Sequence, residues 1–269
     1  MSEYLPLLIG ILFFSGILAM VLYPLLKHRL GWVLSLFPLV VFIILFATLK
    51  NLDSQTILFL PSNFNLLEGV DFAFRIDGLS LIFGLLITGI GFLVVLYASW
   101  YMKKYKRQAH FFSYLMFFMA AMTALVFSDN LMALFIFWEI TSVTSFLLIG
   151  FDHHLEKSRQ AALQSLLITS FGGLCLLFAA ILLGNIAGTF QISEMIASGT
   201  DFTSHPQYTL IFILVLMAVL TKSAQFPFHF WLPGAMQAPT PVSAYLHSAT
   251  MVNAGIFLLL RMHPILSGT

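Results

Sequence analysis

Charge is scarce in this chain. Only 9% of its 269 residues are Asp, Glu, Lys or Arg, where a soluble domain carries about 25%. Hydrophobic residues make up 60%, and the mean hydropathy is +0.98. That balance excludes an ordinary soluble globule and indicates an integral membrane protein, whose apolar faces meet lipid and other helices. A net charge of +1 gives no basis for binding nucleic acid or acidic substrates electrostatically. The single cysteine, Cys175, excludes an internal disulfide and any cysteine-based metal site. The N-terminal Met-Ser-Glu-Tyr-Leu-Pro lacks the positive stretch of a cleaved signal peptide, so the first apolar run reads as a retained anchor. Phosphate-loop, nucleophile-elbow, haem and iron–sulfur spacings are missing, and no cofactor, metal or catalytic residue is expected.

Long apolar runs are abundant. Eight have the length that a bilayer core requires, at 5–26, 32–49, 79–100, 111–127, 131–150, 161–184, 208–231 and 242–260. The fold class is therefore all-α, with about eight transmembrane helices. The longest connection, 51–78, contains Val70-Asp-Phe-Ala-Phe-Arg-Ile-Asp-Gly78, whose alternation predicts a short strand within a hairpin and a turn at Asp77-Gly78. With the N-terminus outside, the inner loops hold Lys27, Arg29, Lys103, Lys104, Lys106, Arg107, Lys157 and Arg159. The outer side then holds Lys50, Arg75 and Arg261, a positive-inside bias that predicts this orientation. The abrupt stop after Arg261-Met-His-Pro-Ile-Leu-Ser-Gly-Thr269 suggests a fragment or the first part of a longer polypeptide.

Against this apolar background a few polar residues stand out. Lys222 lies inside the seventh run, five positions before Pro227. A lysine at membrane depth costs about 2.5–3.5 kcal/mol on insertion scales, and intramembrane ionisable groups are functional by default. A buried amine holds or releases its proton according to its neighbours. The alternative is a lysine that snorkels to the interface. Pro227 lacks an N–H, so the Ser223 carbonyl loses its helical partner and the seventh helix is expected to break there. Broken helices at membrane depth line cavities and ion sites. His229 sits beside this break.

Glu139 lies in the fifth run about nine residues, or roughly 13 Å of rise, from its outer end. It reads as a protonatable carboxylate or as a neutral acid bonding between helices; the neighbouring Thr141, Ser142, Thr144 and Ser145 fit either. In the eighth run Ser243, His247, Thr250 and Ala254 recur at helical spacing and should share one face. His247 is a candidate proton relay, or a satisfied structural histidine. Asn253 is polar but cannot titrate. Gln160, Gln164, Ser165, Thr169 and Ser170 read as helix-packing groups in preference to a water-lined face, and Gly84, Gly89 and Gly91 read as close helix packing. Asp152-His153-His154-Leu-Glu156 lacks metal-site spacing and reads as a solvated loop.

Three stretches strongly resemble one superfamily: Phe137-Trp-Glu-Ile-Thr-Ser142, Thr221-Lys-Ser-Ala-Gln-Phe-Pro-Phe-His-Phe-Trp-Leu-Pro233 and Ala238-Pro-Thr-Pro-Val-Ser-Ala-Tyr-Leu-His-Ser-Ala-Thr-Met-Val252. It comprises the antiporter-like subunits of respiratory complex I, of membrane-bound hydrogenases and of Mrp multisubunit Na+/H+ antiporters. Lys-Ser-Ala-Gln before Phe-Pro-Phe, and Ala-Tyr-Leu-His, are most similar to the MrpA-type component of the antiporters. The resemblance implies the first half of an inverted-repeat transporter fold with a broken seventh helix. Residues 1–110 would hold the first three helices and the hairpin-containing loop, 111–262 the first five-helix repeat, and 263–269 a truncated tail. It also implies a proton or ion path through Glu139, Lys222 and His247, with Ser243 and Thr250 beside it and Ser223, Pro227 and His229 supporting the break. In that mechanism Glu139 stabilises protonated Lys222.

The implied function is proton translocation within a multisubunit monovalent cation (Na+)/proton antiporter of a bacterial cell membrane, with other membrane subunits as partners. The alternative is the non-redox pumping subunit of a complex I-like quinone oxidoreductase or a membrane-bound hydrogenase. One residue departs from the pattern: Asn253 stands where the MrpA type usually carries a lysine.

Overall fold

The computed structural model describes residues 4–50, 58–60, 65–67 and 70–267. Parts of the predicted 51–78 connection (51–57, 61–64, 68 and 69) and the last two residues of the predicted tail lie outside them. Helix α1 spans Leu5–Leu26 and α2 spans Leu30–Lys50. As one straight rod, the continuous run Leu5–Leu49 would be roughly 68 Å long, about twice a bilayer core. Lys27 prevents that: its φ of +44° ends α1, a 3₁₀ turn follows over Lys27–Arg29, and α2 packs back against α1.

Four short strands follow: β1 (Leu58–Leu60), β2 (Asn65–Leu67), β3 (Val70–Asp71) and β4 (Phe74–Ile76). β1 pairs antiparallel with β4, and β2 with β3, one hairpin nested in the other. Asp77, expected in a turn, caps α3 (Gly78–Tyr101). Its carboxylate accepts the Ser80 N–H at 2.8 Å, and Ser80 Oγ accepts the Asp77 N–H at 2.9 Å, a reciprocal capping box.

α4 (Gln108–Phe127) is the hub. All of its residues are buried except His110, Tyr114 and Phe117, and it packs against α1, α3 and α5. α5 (Leu131–Ile149) begins at Asn130, whose side chain accepts the N–H groups of Met132 and Ala133. α6 (Glu156–Ala187) packs on α5 and on α8 (Tyr208–Lys222), with the short α7 (Ile192–Ala197) between α6 and α8 in the chain. A 3₁₀ turn at Phe228–Phe230, α9 (Trp231–Ala235) and α10 (Thr240–Tyr245) lead through a π-helical turn, Leu246–Thr250, into α11 (Met251–Leu266). Gly84, Gly89 and Gly91 allow the close packing predicted for them: a Cβ would meet Phe127, Phe42 and Met119 at 2.7, 2.9 and 2.5 Å.

Among the described residues six helical runs are long and apolar enough to cross a membrane: Leu5–Leu49, Gly78–Lys104, Gln108–Phe127, Leu131–Ile149, Glu156–Ala187 and Thr240–Leu266. The first contains two of the predicted spans. The run predicted over 208–231 is helical only to Lys222, 15 residues, and is too short to qualify. The predicted helical register of the eighth run is also corrected, because the π turn inserts an extra residue between Tyr245 and Met251.

At the hairpin end, charge ties α3 to α11. Arg261 of α11 binds Asp77 with two nitrogens, at 2.5 and 3.1 Å, and Arg75 Nε lies 3.0 Å from the same carboxylate. Burial alone would push the Asp77 carboxyl up, but the Arg261 hydrogen bond and charge, the Ser80 N–H and Arg75 outweigh it and hold it below its ordinary value. Asp129, between α4 and α5, goes the other way. Burial raises it despite the Ser193 hydroxyl, which donates to it at 2.5 Å, and despite the nearby arginines. Its backbone is laced to both neighbours: Asp129 N–H donates to the Ala73 carbonyl and its own carbonyl accepts the Ile192 N–H.

Candidate functional site

Lys222 is the last residue of α8 and is 0% exposed. Its ammonium donates to Thr141 Oγ1 at 2.8 Å, Ser142 Oγ at 2.8 Å and the Trp138 carbonyl at 3.2 Å. It also lies 4.9 Å from the centre of the Trp138 ring, a favourable cation–π placement. The three oxygens belong to positions i, i+3 and i+4 of α5 and so line one face. Both hydroxyls give their own protons to the Trp138 carbonyl, at 2.7 and 3.2 Å. Their lone pairs are thereby left to face the amine. The berth consists of neutral dipoles, and the lysine does not snorkel.

Glu139, the next residue of α5 after Trp138, faces α6. Its Oε2 accepts the Ser170 hydroxyl at 3.1 Å, and its buried Oε1 has no hydrogen-bond partner. The carboxylate and the Lys222 ammonium make no ion pair within 4.0 Å; the only such pairs among the described residues are the two on Asp77. The sequence reading paired Lys222 with Glu139; the lysine's direct partners are Thr141, Ser142 and Trp138.

Three glycines make this packing possible. A Cβ at Gly172 of α6 would collide with Thr221 Oγ1, one at Gly173 with Glu139 Oε1, and one at Gly255 of α11 with Ser223 Oγ. Without side chains at these points, α6 and α11 close directly on the two helices that carry the lysine and the glutamate. A Gly-Gly doublet inside an apolar helix was the sequence signal for the first two. Ser170 was legible only as a packing residue, and Gly255 carried no distinguishing signal.

Beyond Lys222 the chain turns sharply. Ala224 has φ +49°, and the Gln225 N–H reaches back to the Leu220 carbonyl. The acceptor expected to open at Ser223 is covered: Gln225 Nε2 donates to the Ser223 carbonyl at 3.3 Å. The Ser223 hydroxyl donates to the Val252 carbonyl of α11. Trp231, fully buried, turns its indole N–H back to the Thr221 carbonyl at 2.9 Å and caps the helix end. Pro227 and His229 are exposed, and His229 stacks on Phe226 instead of reaching the lysine.

His247 lies in the π turn with its ring 6.1 Å from that of Trp231. Both ring nitrogens are buried without a well-formed hydrogen bond; the Ala235 carbonyl is a neighbouring acceptor. Ser243 Oγ donates to the Ala238 carbonyl and Thr250 Oγ1 to the Tyr245 carbonyl. No hydrogen bond joins Lys222 to Ser243, His247 or Thr250 among the described residues. The Trp231 indole instead bonds to the Lys222 helix end and neighbours the His247 ring. Asn253 Nδ2 donates to the Ser248 carbonyl. No group of three or more His, Cys, Asp or Glu among the described residues is arranged to hold a metal ion.

Comparison with known proteins places these features in context. A family model described as NADH:quinone oxidoreductase/Mrp antiporter, transmembrane region, matches residues 128–269. A second, described as the N-terminus of chain 5 of NADH-ubiquinone oxidoreductase (complex I), matches 68–112. The A/B subunit of a probable K(+)/H(+) antiporter of Rhizobium meliloti is 44% identical over 257 residues, 95% of this chain and 26% of that protein. The A1 subunit of a Na(+)/H(+) antiporter of Staphylococcus aureus is 45% identical over 250 residues, 93% of this chain and 31% of that protein. A chain in the structure of the Mrp complex from Dietzia sp. DQ12-45-1b superimposes with a TM-score of 0.87 at 34% identity, covering 98% of this chain and 28% of that one. A chain of the archaeal membrane-bound sulfane sulfur reductase shares the fold at 18% identity, with a TM-score of 0.80, covering 97% of this chain and 40% of that one. This chain thus spans 26% and 31% of the two curated relatives.

Proposed function

The chain belongs to the NADH:quinone oxidoreductase/Mrp antiporter transmembrane family, and from that premise we propose that it carries protons within a multisubunit monovalent cation/proton antiporter. The names of the relatives favour antiport over quinone-linked pumping, so the chain acts as part of a transporter and not as a catalytic enzyme. Na+ is the coupling cation of this reading, and K+ is the competitor to test against it. Its partners are further membrane subunits, and its site is the bacterial cell membrane. The N-terminus lies outside. α1 and α2 count as separate spans, and α8 with the segment to Ala235 as one broken span, which makes eight.

One observation carries the reading: a lysine amine with no solvent exposure, held by three neutral oxygens from the same helical turn that bears a carboxylate. A buried charge without an ion partner is costly, and a pump can use that cost. When Glu139 is ionised, its field favours the ammonium; when its charge is lost or moves, the amine gives up the proton. Trp138 Nε1, Glu139 Oε1 and both His247 nitrogens are buried and unpartnered. Such groups are rare in finished cores and are suited to exchanging partners as a proton passes. Transfer from Lys222 to His247 then runs around Trp231.

The test is cation-driven proton movement in membrane vesicles containing the assembled complex. Lys222→Ala should abolish it while the complex still assembles, and Glu139→Gln should reduce it strongly. An unchanged proton flux in a normally assembled Lys222→Ala complex overturns the proposal.

A further inference from the structure

At the end of the bundle opposite the hairpin, α4 begins, α5 ends and α6 begins around a cavity of about 380 Å³. Two arginines share its rim. Arg107 Nη1 lies 3.0 Å from His153 Nδ1, and Arg159 Nη1 donates to the His153 carbonyl at 3.1 Å. Both guanidinium groups are thus gathered on one residue, and neither has a carboxylate within 4.0 Å among the described residues. Of the two acids in the same loop, Glu156 accepts Gln160 Nε2, and the Asp152 carboxylate makes no ion pair within 4.0 Å among the described residues. Below the rim the wall is apolar, with Phe146, Phe151 and Leu163.

The apolar wall continues. Arg159, Leu163, Leu167 and Phe171 follow at intervals of four along one face of α6. The three apolar members of that ridge are exposed, Leu167 by 70%. The depth is that of a membrane interface. Tyr101 at the end of α3 stacks on Tyr105, and Tyr105 meets Phe151 of the cavity wall edge-on. Lys103 and Lys104 sit over the Trp100 and Tyr101 rings, in keeping with an aromatic belt. A basic, half-open pocket continued by a strip of exposed leucines suits an amphiphile with an anionic head.

We propose that this cavity holds the phosphate of an acidic phospholipid between Arg107 and Arg159, with an acyl chain lying along the Leu163–Leu167–Phe171 face of α6. Planar guanidiniums take two phosphate oxygens each, and basic pockets between helices at the membrane surface bind acidic headgroups. The site is independent of the lysine berth and does not rest on the transport reading.

The experiment is native mass spectrometry of the complete polypeptide with its assembled partners, released from nanodiscs of phosphatidylglycerol or phosphatidylcholine with identical chains. Retained phosphatidylglycerol should exceed phosphatidylcholine, and Arg107→Gln with Arg159→Gln should lower its retention about tenfold. Lys103→Gln with Lys104→Gln removes equal charge from the same surface and should leave retention within about twofold. Leu163→Gln with Leu167→Gln should weaken the lipid but not glycerol phosphate. Equal losses from both charge pairs, or equal retention of the two lipids, overturn the proposal. Glycerol phosphate binding as tightly as the lipid overturns it in favour of free phosphate. A photo-crosslinker at position 163 that captures a neighbouring polypeptide instead of lipid also overturns it.

Discussion

Neutralising Asp77 should loosen the clamp that joins α3 to the last described helix. Asp77 caps α3 and binds Arg261 of α11 through two nitrogens. The side chains are 15% and 3% exposed, so the pair is largely buried. Breaking a buried pair costs about 3–5 kcal/mol, and removing an N-cap about 1 kcal/mol. Asp77→Ala loses both. Asp77→Asn keeps an oxygen for the Ser80 N–H and loses the charge, so its cost should fall near the lower figure, about 3 kcal/mol, because Asp129 also faces Arg261. Removing both charges, as Asp77→Asn with Arg261→Gln, should cost less than the sum of the single changes.

The pH dependence has a fixed sign. A carboxyl held below its ordinary value of 3.8 contributes its full stability at neutral pH. That contribution fades as the pH drops through 3.8 and through the lower folded-state value. Thermal unfolding of the detergent-solubilised protein, followed by tryptophan fluorescence from pH 3 to 8, measures it. Single variants within about 0.5 kcal/mol of the wild type, or a double variant equal to the sum, would refute the clamp.

Asp129 predicts the opposite response. Its raised carboxyl makes the ionised form a burden at neutral pH, so Asp129→Asn should stabilise the protein there. The gain should vanish on acidification below the carboxyl range, and the same melts check it. Gly173→Ala places a methyl on Glu139 Oε1; overpacking of this kind costs about 1–3 kcal/mol, and the displaced carboxylate should slow proton movement in vesicles more than it lowers the melting temperature. Thr141→Val with Ser142→Ala strips two of the three oxygens from Lys222, each bond to a charge being worth about 1.5–3 kcal/mol. Transport should fall sharply in complexes that still assemble, as quantified by blue native electrophoresis.

The long apolar runs made the helices legible, and Val70–Gly78 made the hairpin legible, because hydropathy and alternation are local properties. What escaped was set by contacts between distant segments. Pro227 predicted a break near Ser223, but the hydropathy of the seventh run gave no sign that the helix ending at Lys222 would be only 15 residues long; Trp231, folding back onto Thr221 from ten positions downstream, supplies the cap. Spacing placed Ser243, His247 and Thr250 on one face, but the π turn breaks that register, and no composition rule marks it. Glu139 and Lys222 were conspicuous by charge. The hydroxyls that hold the lysine were visible only as small polar residues, and the glycines that let the helices close acted by having no side chain to notice.

All three oxygens around Lys222 come from a single turn of α5, and successive side chains on a helix point about 100° apart. The amine's seat and the Glu139 carboxylate are therefore adjacent sectors of one rigid cylinder. A twist of that cylinder within the bundle moves both sectors together, carrying the hydroxyls away from the amine as it carries the carboxylate toward it or further off. The coordinate to follow in any second state of this molecule is accordingly the rotation of α5 about its own axis, before any change in its tilt or depth.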